Sequence, residues 1–119
     1  MAYNEGILNR IREVLLDRDI TFSEKKMFMG VCIMVDDKLL CGTHTDKKTG
    51  EDVLLCRLSE GDYANVVERD EVLPMQMGTK VMKGYVAVTA QGIKKQQDLE
   101  YWLGLCLQFN PLAKSSKKK

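Results

Sequence analysis

The sequence predicts an α+β fold, a two-layer domain in which helices cover one face of a single antiparallel sheet. Three observations carry that expectation. Apolar residues recur at helical spacing near both ends, at Ile7, Leu8, Ile11, Val14 and Leu15 and again at Leu99, Trp102, Leu103 and Cys106. Between them lie β-rich segments joined by loops of two residues (Asp36-Asp37) and four (Lys47–Gly50), short enough for antiparallel hairpins. The 119 residues, 45% of them hydrophobic and 29% charged, suffice for one core without disulfides or metal.

The first helix is expected over Tyr3–Arg18, with Asn4 as N-cap and Tyr3 stapled to Leu8. It should end near Asp19, ahead of the β-branched pair Ile20 and Thr21. Strands follow over Lys26–Val35, Lys38–Thr45 and Asp52–Leu58. The two loop lengths set a register in which Cys32 faces Cys41 and Cys41 faces Cys56, so three cysteines form one row on one sheet face. Ser59 reads as the N-cap of a second helix, with Asp62 in a capping-box position and Tyr63, Val66 and Val67 on the apolar side. Pro74 confines "LPMQM" to an edge strand, whereas "KGYVAVT" alternates as a well-paired strand does. A last helix from Lys95 to Phe109 stops at Asn110-Pro111. The expected order is α-β-β-β-α-β-β-α, with a domain over residues 1–110 and a basic flexible tail over 111–119.

This register divides the sheet into two faces. One holds Gly30, Cys32, Met34, Leu39, Cys41, Thr43, Leu54, Cys56 and Leu58, carries no charge, and should lie under the helices with Trp102 against it. The other groups Val31, Ile33, Val35, Leu40, Val53 and Leu55, with Lys38, His44 and Arg57 around them. An apolar centre inside a charged rim is the anatomy of an interface. The expectation is that this second face pairs with itself in a homodimer or receives a regulatory protein, with Ile33 and Leu55 near its centre.

Charge and cysteine usage narrow the function. Lysines 114, 117, 118 and 119 belong to the tail; without these four, 14 of the 18 basic residues face 17 acidic ones, so the body carries −3. That body lacks the basic stripe of a DNA-binding surface, so direct DNA binding by the domain is not expected. No signal peptide or membrane span is visible, which points to a cytoplasmic protein. Four cysteines (32, 41, 56 and 106) without a C-x-x-C pair are expected to be free thiols. Together with Met34, Met27-x-Met29 and Met75-x-Met77 they have the softness for Cu(I) or Zn, but a row across a sheet spreads ligands that a tetrahedral site needs to converge. Core packing is the simpler role. Cys41-x-x-His44 would point to opposite faces, and His44 is expected to be exposed or at an edge. The acidic loop residues Asp36, Asp37, Asp46, Glu51 and Asp52 lack EF-hand spacing. No catalytic residue, metal ligand or cofactor is expected.

Four blocks, "YNEGILNRIREVL", "KKMFMGVCIMVDDKLLCG", "LPMQMGTKVMKGYV" and "DLEYWLGLCLQF", resemble the signature of the TfoX/Sxy N-terminal-domain family. Its most specific positions are matched by Lys25, Lys26, Met27, Phe28 and Gly30, and by Met82, Lys83 and Gly84. Met29 departs from the family's usual second glycine, and the run before Met82-Lys83-Gly84 is one residue longer than usual. The resemblance implies a two-layer, secretion-chaperone-like arrangement in stand-alone form, and no catalytic residues. Members with a second domain regulate natural competence as coactivators with the cyclic-AMP receptor protein. The implied function is a noncatalytic regulatory module that contacts a protein partner such as a transcription regulator. The alternative is a thiol-based redox or soft-metal sensor.

Overall fold

Helix α1 (Glu5–Asp17) buries the five side chains its spacing selects, Ile7, Leu8, Ile11, Val14 and Leu15. In this computed structural model the described residues are 5–27, 30–46, 49–77 and 80–112, with backbone alone at Met27, 74–77 and 80–82. The expected N-cap Asn4 and staple residue Tyr3 lie outside them, as do Phe28 and the tail from residue 113. At the other end of α1 the chain leaves through a Schellman turn. The Ile20 N–H donates to the Leu15 carbonyl and the Asp19 N–H to Leu16, with Asp19 at φ 58°.

The sheet has six antiparallel strands, β1 (Ser23–Met27), β2 (Gly30–Val35), β3 (Lys38–Thr45), β4 (Asp52–Arg57), β5 (Val72–Met77) and β6 (Lys80–Thr89), in the order β1-β2-β3-β4-β6-β5. Helix α2 (Glu60–Val66) precedes β5, and a 3-10 turn leads from β6 to α3 (Gln96–Phe109). The fold is α+β with one sheet, as expected, but there is one strand more. The segment read as a single strand from Lys26 to Val35 is a hairpin, with Lys26 opposite Val31 and Met27 opposite Gly30. Gly30, which opens β2, lets β3 approach closely on its other side. A Cβ there would stand 2.1 Å from the Thr43 carbonyl oxygen and 2.6 Å from the His44 Cβ. Pro74 sits on edge strand β5, where its missing N–H breaks no central ladder.

Between β3 and β4 the loop sets the expected register, with Cys41 opposite Cys56 and Thr45 opposite Asp52. Between β2 and β3 it holds only beside the turn. Asp36 and Asp37 both take positive φ (54° and 63°), and Val35 pairs with Lys38 and Met34 with Leu39. A β-bulge then adds Leu40, so Ile33 faces Cys41 and Cys32 faces Gly42. One residue of slip exchanges the two faces of β2. The exchange turns the β-branched stripe Val31, Ile33 and Val35 toward the helices, where it joins Leu40, Cys41, Leu54, Cys56 and Leu58. Cys32, Met34, Leu39 and Leu55 form a smaller cluster on the opposite side, with Tyr85 against it. The expected three-cysteine row is therefore overturned: Cys41 and Cys56 are neighbours on one face, and Cys32 is on the other.

Helix α3 closes the main core with Leu99, Trp102, Leu103 and Cys106, the four residues its periodicity selects. Its ends are tied down by side-chain hydrogen bonds that link them to other elements. Arg10 of α1 donates to the Ile93 carbonyl at 2.6 Å, just ahead of α3. Asn110 donates to the Val35 carbonyl at 3.3 Å, and the Lys38 ammonium to the Pro111 carbonyl at 3.2 Å. Pro111 and Leu112 thus continue as a 3-10 turn where the sequence suggests a tail.

Candidate functional site

The bulge removes the interface expected from the sequence. Val31, Ile33, Val35 and Leu40 lie under the helices, whereas strand alternation puts Val53, Leu55 and Arg57 on the opposite side. All six apolar members of the expected patch are buried within the chain itself, at 9% exposure or less. Lys38 and Arg57 are half-buried. The exposed large apolar side chains among the described residues are Leu16, Tyr101 and Leu112. These three do not come from the expected patch.

The signature positions separate into surface and scaffold. Lys25 and Lys26 are exposed on edge strand β1, and Lys83 is exposed on β6. Gly30 is required by packing, as above. Gly84 has φ 90°, a conformation side-chain-bearing residues rarely adopt, and its carbonyl accepts the Leu58 N–H at 2.7 Å. Met27 and Met82 contribute backbone to β1 and β6. Charge at the edge also comes from Glu24, which receives Arg12 of α1 at 2.7 Å. That hydrogen bond is the main reason its carboxyl is held below the usual range.

All four thiols are free and buried. Cys106 on α3 packs in the same buried core as the Cys41–Cys56 pair, so three thiols lie together between helix and sheet. The sequence carried both halves of this meeting, since Cys106 shares the stripe of Trp102 and the loop length pairs Cys41 with Cys56. Burial pushes the Cys41 and Cys56 thiols well above their ordinary range, and neighbouring cysteines push the same way. Cys32, on the far face, is pushed up to about 11 by burial. These groups stay protonated at neutral pH and are poor nucleophiles. Among the described residues no group of three or more His, Cys, Asp or Glu side chains is disposed to hold a metal ion.

His44 is buried, not exposed or at an edge as the sequence suggested, because it packs over Gly30. Desolvation lowers its pKa, with Asp46 opposing. Alternation sends it to the opposite face from Cys41, so the two make no nucleophile–base pair. Two cation–aromatic groups went unread in the sequence, because they join residues distant along the chain. Arg57 lies 5.7 Å from the Tyr85 ring and 5.8 Å from that of Phe109. Arg69 lies 5.4 Å from Tyr101 and 5.6 Å from Trp102, and donates to the Tyr101 hydroxyl at 3.3 Å.

The profile of the TfoX N-terminal domain matches residues 15–110, from the end of α1 through α3. The chain belongs to the TfoX N-terminal domain family. That span contains the last three signature blocks in full and only the final residue of the first. Membership of the TfoX N-terminal domain family supports a regulatory type of domain in general terms. No curated protein and no solved structure matches the chain. Among the described residues no helix is long and apolar enough to cross a membrane.

Proposed function

We propose that this chain is a noncatalytic regulatory module that works by binding protein partners, a transcription regulator among them, and that its place is the cytoplasm. The observation that carries the reading is the family match, which spans nearly the whole described fold. The side-chain chemistry agrees with it. The residues with most chemical potential, Cys41, Cys56 and His44, serve as packing, and burial favours their uncharged forms. A role in competence, and a homodimeric form, belong to the same proposal. If a homodimer forms, the bulged register requires it to use a surface other than the one the sequence suggested. The test is affinity capture with the purified chain, followed by reconstitution of each captured regulator as a pure complex. A stoichiometric complex that survives reductant and chelator supports the reading. Stoichiometric bound metal, with no reconstituted complex, overturns it.

The thiol-sensor reading is favoured by one observation, the meeting of Cys41, Cys56 and Cys106. A sensor thiol needs thiolate character and access, and Cys41 and Cys56 have neither. It stands second for that reason.

A further inference from the structure

We draw no further inference here: the strongest candidate, the thiol cluster of Cys41, Cys56 and Cys106 between the sheet and α3, belongs to the sensor reading already weighed, and no group of three or more such side chains among the described residues is disposed to hold a metal ion.

Discussion

Asp19 and His44 show how a single position feeds into stability. Asp19 occupies the left-handed C′ position of the α1 Schellman turn, a place where glycine is free of the Cβ penalty. Asp19→Gly is expected to raise the urea midpoint, because the αL penalty it relieves outweighs the added entropy of the unfolded chain, with an unchanged m-value. His44 works through protons. Its folded-state pKa lies below the ordinary 6.5, so as pH falls the unfolded chain takes up this proton first. Its contribution is complete above about pH 7 and is lost progressively as pH drops through 6.5. Melting temperatures measured from pH 8 to 5 should decline in the lower half of that range. His44→Gln should flatten that decline, and an unchanged slope would show that His44 is not the buried proton acceptor. Below pH 4.5 the Arg12–Glu24 pair adds a further acid loss of the same sign, because the lowered carboxyl must be protonated.

At the scale of elements, much was legible and one inserted residue was not. The stripes of α1 and α3 identify their buried residues because 3.6-residue periodicity survives any detail of packing. Ser59 caps α2 as read, its hydroxyl accepting the Asp62 N–H at 3.2 Å. Loop length fixed the β3–β4 register, and the same reasoning failed at β2–β3 because a turn sets register only until a bulge intervenes. The competition there was between the face of Val31, Ile33 and Val35 and that of Cys32 and Met34. Alternation cannot say which of two apolar stripes goes under a helix. The β1–β2 hairpin was missed because its return carries none of the Asn-Gly or Asp-Gly signals of a tight turn. Two substitutions test the arrangement. Trp102, 1% exposed between α3 and the sheet, should cost roughly 3–5 kcal/mol as Trp102→Ala. Ile33→Asp places a carboxylate under the helices and should abolish cooperative unfolding. An Ile33→Asp protein with wild-type thermal stability would restore the register in which that face is open.

For the whole molecule, the proposed function assigns the interior to packing and the contacts to the surface. The interior uses cysteine as a small apolar residue, and the acidic body gives duplex DNA little to hold. Duplex binding should be no tighter than the roughly 10⁻⁴–10⁻⁶ M of nonspecific association near physiological salt, and should weaken further when residues 113–119 are removed. Sequence could not locate the proposed contact surface, because the family signature mixes exposed lysines with glycines kept for backbone reasons. The most direct test of the central claim is partner capture by a cysteine-free chain, Cys32→Ala, Cys41→Ala, Cys56→Ala and Cys106→Ala together, with folding verified by circular dichroism. Single replacements serve if the quadruple variant does not fold. A folded variant that captures and reconstitutes the same protein partner as the wild type is the expected result. A folded variant that has lost its partner would assign the function to the thiols and contradict the account.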